Sequence, residues 1–477
     1  MVGRKTSAFL TIAIMSGAML VCQGVRAWRR NKRERSILEH MERGLLLLKE
    51  KVYSEAALSY LRCLSIMEEG DERLVNVYNN LAICLAKIKA YKEAALYAER
   101  SLKINILENE KALRLRYECH KALDMRRETL CDAFLCGLVT KDEKYRKLAQ
   151  EILKMEAEGE AKKMAGEREA SPSRISYESF FGTFPDLFGN ESFVNDELVR
   201  LIRDGKYDEA FEKAGKRDDS ISKFVTAGMM HVRGNDMASI SLLEHEKMIF
   251  SICLREYLKS LHGRMPMDIE DFVVKNSKSV SVLFYASKIH LNLKNYELYE
   301  KFIAMAMECE EHDFLYVDRI IYEVGHGRNE KAEEFLNKAL ESHPLSIHVL
   351  SIACEYYLRC KDTAKLEAIM SSFEKHYRED PRFFLFKGIV AQARNDVSDA
   401  ERYFRLAIKT DARFFKPYVY LGGILLGRND KSSREVYEEA LKCAVSYDEL
   451  FLVEQALILI DVQEKIIRIY PDVLKAF

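Results

Sequence analysis

Four side chains in the first third of this 477-residue chain, Asn80, Lys111, Arg114 and Arg116, have the types and spacing to grip a carboxylate. Ammonium, guanidinium and amide donors converging from neighbouring helices make charge-assisted hydrogen bonds, the strong kind a peptide's terminal carboxylate needs. Taken singly, each of the four equally fits a solvated helix face. Their recurrence on equivalent helices favours a clamp. Other chemistry has less footing. His245-Glu246 and the CEEHD stretch from Cys309 to Asp313 lack a second ligand pair at metal spacing. A Gly-rich phosphate loop, HExxH and GxSxG are all missing. The expectation is a binding protein without cofactor or metal, and not an enzyme.

The elements that must present such a clamp are repeats. In MERGLLLLKEKVYSEAALSYLRCL, Gly44, Ala56 and Cys63 are small where two helices approach closely, while Leu47, Tyr53 and Tyr60 fill larger positions. The next copy repeats this with Ala82, Ala94 and Ser101 small and Tyr78, Leu81, Leu85 and Tyr91 large. A weaker third copy has Thr129 at the second-helix Ala position. Downstream units carry Tyr207 and Ala210; Ala332, Leu336, Ala339 and Pro344; and Gly388, Ala400, Phe404 and Ala407. Gly388 to Gly422 is a step of 34 residues. Small and large positions phased at this period identify tetratricopeptide repeats, helix–turn–helix units that stack into a curved groove for extended peptides or helices.

Ahead of the repeats, Thr6 to Val25 carries no charge, and twenty residues at ~1.5 Å rise cover a hydrocarbon core of ~30 Å. Arg4 and Lys5 precede this run, whereas Arg26, Arg29, Arg30, Lys32, Arg33 and Arg35 follow it. The larger positive flank keeps the following chain in the cytosol and favours a retained anchor over a cleaved signal peptide. Trp28, the only Trp, falls at the expected headgroup level.

The resulting division is a short organelle-side tail over 1–5, a transmembrane anchor over 6–25, a basic juxtamembrane segment over 26–36 and three repeats over 37–140. A charged segment over 141–175, an exposed helix followed by a Ser-Pro-Ser linker, precedes a second repeat domain over 176–477. The fold class is all-α, a tetratricopeptide superhelix in two domains behind one transmembrane helix. Composition agrees: 7 Pro and 21 Gly with 48% apolar and 31% charged residues suit a helix-rich chain. Lys plus Arg (74) balances Asp plus Glu (75), which removes any global attraction for nucleic acid. Eleven cysteines without CxxC spacing fit a reducing compartment. Met305 and Met307 suit adaptable apolar binding and, equally, core packing.

The anchor, the basic flank, three repeats, the charged segment, the stretch SFFGTFPD from Ser179 to Asp186 and the closing helices ending in Tyr470-Pro471-Asp472 together resemble the seventy-kilodalton import receptor of the mitochondrial outer membrane. That resemblance implies a receptor on the cytosolic face of a mitochondrion or related organelle. It would capture hydrophobic preproteins with internal targeting signals and pass them to the pore of the outer-membrane translocase. The family's first repeats hold the acidic tails of chaperones of the seventy- and ninety-kilodalton classes, and its later repeats hold the preprotein. Its clamp Asn matches Asn80 and its first third-repeat Lys matches Lys111. The remaining clamp positions fall on Met41, Leu45 and Leu115, with Arg114 and Arg116 flanking the last. Met41 and Leu45 cannot donate to a carboxylate, so tail docking is expected to be lost or altered while preprotein binding persists. A membrane-anchored co-chaperone of another organelle, or an assembly scaffold, would show the same array.

Overall fold

The computed structural model describes the chain from Val2 to Ala476 apart from residues 166–169, 171, 191 and 265, with side chains described within 26–473. Every regular element among the described residues is helical. The chain forms two compact units, Met1–Glu158 with Ile458–Phe477, and Gly159–Leu457. Helix α1 runs Val2–Lys49. The side chains of the expected anchor, 6–25, lie outside the described residues, and among the described residues no helix is long and apolar enough to cross a membrane.

In the first unit the repeats are α1 with α2 (Tyr53–Ile66), α3 (Leu74–Lys87) with α4 (Tyr91–Ile104), and α5 (Glu110–Ala122) with α6 (Arg126–Val139), followed by α7 (Glu143–Ala165). The predicted small and large residues meet as their sizes require. A Cβ on Gly44 would stand 2.8 Å from the Tyr60 ring, so only the bare glycine lets that buried ring lie against α1. Ile37, Val77 and Leu81 close the same core. Asn109 caps α5 and exchanges hydrogen bonds with Asn79 of α3, fixing the third repeat on the second.

The second unit contains α8 (Arg174–Phe181), α9 (Pro185–Gly189), α10 (Glu197–Arg203), α11 (Tyr207–Ala214), α12 (Ser220–Val232), α13 (Asp236–Leu243), α14 (Ile249–Leu261), α15 (Ile269–Lys275), α16 (Val280–Asn292) and α17 (Tyr296–Cys309). It continues through α18 (Asp313–Gly325), α19 (Asn329–Ser342), α20 (Ile347–Cys360), α21 (Thr363–Tyr377), α22 (Pro381–Ala393), α23 (Val397–Thr410), α24 (Phe415–Gly427), α25 (Ser432–Cys443) and, as far as Leu457, α26 (Tyr447–Ile469). The same small-against-large rule recurs: Gly388 of α22 faces Phe404 of α23, and Gly422 of α24 faces Tyr437 of α25. The SFFGTFPD stretch is the hub of its first core. Phe181 and Phe184 are fully buried, Phe184 meets Phe224 edge-on at 4.9 Å, and it stacks on Tyr285 at 4.7 Å.

Two expected boundaries shift. The segment 141–175 was expected to be an exposed helix and linker, yet α7 buries Tyr145, Ala149, Ala157 and Ala161. Tyr145 meets Tyr117 edge-on at 5.4 Å in the first unit, and Ala161 packs with Ala444 and Leu450 in the second. The alanines supply the close approach that the abundant surface charges conceal. The expected 176–477 domain ends earlier, because residues from Ile458 onward pack with the first repeats. Tyr470, buried, gives the physical reason: it lies against Arg116.

Candidate ligand-binding groove

The first helix of each late repeat in the second unit is apolar on two faces. One face packs into the repeat core: on α22, Leu385 clusters with Ala400 and Phe404 of its own second helix, and Phe386 meets Phe373 of the second helix before it. The other turns into a groove. Val317, Ile321 and Val324 come from α18 at spacings of four and three, Ile352 and Leu358 from α20, Ile389 from α22, Phe415, Val419 and Tyr420 from α24, and Leu452 from α26. Three adjoining cavities of about 560, 600 and 350 Å³ share Glu355, and pairwise share Leu385, Phe386 and Ile352. Each volume is in the range that accommodates a ligand. Ile321 is 54% exposed and Leu452 43%, so apolar surface is left open to water instead of being used in the core. The wall at one end is α8, contributing Ile175, Ser176 and Phe180.

The charged side chains that line the groove are mostly matched by partners of opposite sign or by hydrogen bonds. Lys416 Nζ lies 2.7 Å from Glu355 Oε1, an ion pair joining α24 to α20 across the apolar floor. Arg382 is buried and held by Asp380 at 2.9 Å and Glu178 at 3.3 Å. Glu449 accepts from the backbone N–H groups of Val445 and Ser446 at 2.7 and 3.1 Å. His231, at the α8 end, stands edge-on to Phe180 and shares Asp236 with His262, at 2.6 and 2.9 Å respectively. Burial alone would raise the Asp236 pKa, but hydrogen bonds and charge from the two histidines outweigh it and hold the carboxyl below its ordinary value. Such a groove can accept an extended or helical apolar segment; it offers little to a highly charged one.

The four residues singled out in the sequence as a carboxylate clamp are dispersed. Asn80 is half-buried on α3 beside Tyr60, whose hydroxyl pKa burial pushes up to about 12. Lys111 and Arg114 are exposed on one face of α5, but Arg114 pairs with Glu110 and lies over the Tyr145 ring at 5.7 Å. Arg116 is a correction: five residues from Lys111 it points the other way, into the core. Its Nε donates to Asp132 Oδ1 at 2.8 Å and its Nη1 donates to the Tyr470 hydroxyl. Asp132 also takes His120 at 2.7 Å. No hydrogen bond or ion pair joins any two of the four among the described residues. Met41 packs against the first-repeat core, whereas Leu45 is 44% exposed. Met305 and Met307 pack against buried clusters.

Of the basic flank, Arg26, Arg29, Arg30, Lys32 and Arg35 are exposed on α1, while Arg33 donates to the Ile66 carbonyl at 2.6 Å and pairs with Glu68. The groove residues went unassigned in the sequence because they form no short motif. Their signal was the excess of apolar residues on first helices, as in DFLYVDRIIYEVG and PRFFLFKGIVAQA, over that on second helices such as NEKAEEFLNKALES.

No family model matches this sequence, and no curated protein matches it. Among solved structures it is similar to the crystal structure of yeast Tom70, with a TM-score of 0.52 and 18% identity over 93% of this chain and 99% of that one. A second structure, of the APC/C hetero-tetramer Cut9-Hcn1, aligns over 91% of this chain and 94% of that one with a TM-score of 0.36 and 12% identity. The likeness to Tom70 shows the tetratricopeptide-repeat fold.

Proposed function

We propose that this chain is a receptor that holds extended apolar segments of client polypeptides in the groove of its second unit, and that it binds without catalysing a reaction. The observation that carries this reading is the apolar lining formed by exposed Ile321, Tyr420 and Leu452 and half-buried Ile352 and Ile389 on α18, α20, α22, α24 and α26. The sequence resemblance to import receptors supports a finer reading. In it, residues 6–25 anchor the protein in the outer membrane of a mitochondrion or related organelle, the repeats face the cytosol, and the clients are hydrophobic preproteins delivered to the translocase pore. Chaperone-tail docking is reduced in this reading, because Arg116 is committed to Asp132 and Met41 to the core.

Peptides tiled across an inner-membrane carrier, titrated into the full chain, test the groove. Uncharged apolar peptides should bind and polar ones of equal length should not. Ile352→Asp and Phe415→Asp should each weaken binding about tenfold or more, since each places a charge where about 1.5–3 kcal/mol of apolar burial is available. Indifference to both substitutions, or equal binding of polar peptides, rejects the groove. Stable complexes with folded partners and no affinity for apolar peptides would favour a scaffold. A protease-accessible C-terminal tag on ring-shaped organelles checks the topology.

A further inference from the structure

We propose that the arginine face of α1 selectively binds the headgroups of anionic lipids; this rests on the membrane-tethered reading above and adds a lipid preference to it. Arg26, Arg29, Arg30 and Arg33 recur at three- and four-residue steps, which puts them on one helix face. With the acidic turn from Glu68 to Asp71 they line a cleft of about 630 Å³. The carboxylates of that cleft are unevenly committed. Arg33 takes Glu68, and Arg73 takes Glu34 at 3.1 Å and Asp71 at 2.6 Å. Only Glu69 remains opposite Arg26, Arg29 and Arg30, and no carboxylate among the described residues comes within ion-pair distance of those three. The face therefore keeps a positive surplus, pinned to the first repeat by the Arg33 contact with the Ile66 carbonyl.

The complementary group is a phosphate, which the planar guanidinium fork binds in bidentate fashion. Position selects the lipid as its source. Arg26 to Arg30 begin at the residue after the uncharged run and extend ~6 Å along the helix axis, inside the ~8 Å over which a surface charge is felt at physiological salt. Trp28 lies at the same height on the opposite face of α1, 62% exposed, with the Lys32 ammonium 5.4 Å from its ring centre, an amphipathic ring of the kind that settles at headgroup depth.

Because Trp28 is the chain's only Trp, its fluorescence reports the lipid surrounding this stretch of α1. The full chain is placed in vesicles of phosphatidylcholine mixed with phosphatidylglycerol, one or the other lipid brominated on its acyl chains. At equal mole fraction, brominated phosphatidylglycerol should quench Trp28 more strongly, with an apparent preference of about fivefold for each engaged arginine that fades as salt is raised. The combined Arg26→Gln, Arg29→Gln and Arg30→Gln variant should lose the preference and keep its quenching by brominated phosphatidylcholine. Glu69→Gln, which removes the one uncommitted carboxylate of the cleft, should strengthen the preference. Equal quenching by the two lipids, or a preference that survives the triple substitution, overturns the proposal alone. Absence of quenching by either lipid overturns the tether together with it.

Discussion

Arg116→Ala is expected to destabilise the first unit by about 3 kcal/mol, because it leaves Asp132, which is 1% exposed, with His120 in place of two cationic partners. Lys111→Ala, on the exposed face of the same helix, should change stability by less than about 0.5 kcal/mol. Chemical denaturation followed by hydrogen exchange in α5 and α6 separates the two outcomes. The difference was invisible in the sequence, where both are basic residues on a repeat helix. What distinguishes them is a carboxylate 16 residues away and a tyrosine 354 residues away. At Asp236 the consequence is a pH dependence. The folded-state pKa is depressed, so its stabilisation is complete at neutral pH and is lost as pH falls through that value. Acid titration of the second unit by circular dichroism should show a loss below about pH 4, where an unfolded Asp takes up its proton, and Asp236→Asn should flatten that limb.

Repeat elements were legible because each obeys one steric rule at a fixed period. Gly388→Ala tests the rule: its Cβ would stand 2.5 Å from Phe404 Cε1, an overpacking cost of about 1–3 kcal/mol that the ~1 kcal/mol gain in helix propensity offsets only in part. Gly159→Ala, mid-helix in α7 with no atom within 4 Å of the new methyl, should instead stabilise by up to about 1 kcal/mol. Opposite shifts in Tm are expected. The turns within the repeats were harder to read. Most turn on a left-handed residue two positions before the second helix, and Lys51, Lys89, Lys294 and Lys361 occupy that place at φ near 60° where glycine or asparagine would have advertised it. The buried face of α7 was missed for a related reason. Its contact residues are alanines, and a run rich in Glu and Lys hides them from any reading that counts hydrophobicity alone.

At the scale of the whole molecule, the composition and the repeat pattern gave the fold class, whereas the pairing of the chain's last segment with its first repeats depended on contacts too far apart in sequence to predict. Deleting residues from Pro471 onward should leave the second unit's protection unchanged and make α5 and α6 more susceptible to limited proteolysis, because the deletion disturbs the turn that seats Tyr470. Cleavage rates of the two units, followed by mass spectrometry of the full and shortened chains, check this. The arrangement also sets an order of events during synthesis. At roughly 5–20 residues per second, the ribosome delivers Tyr470 roughly 18–70 s after Arg116. Throughout that interval the emerging third repeat carries a guanidinium without its tyrosine partner, so its packing is completed only after every helix between Arg116 and Tyr470 has been made.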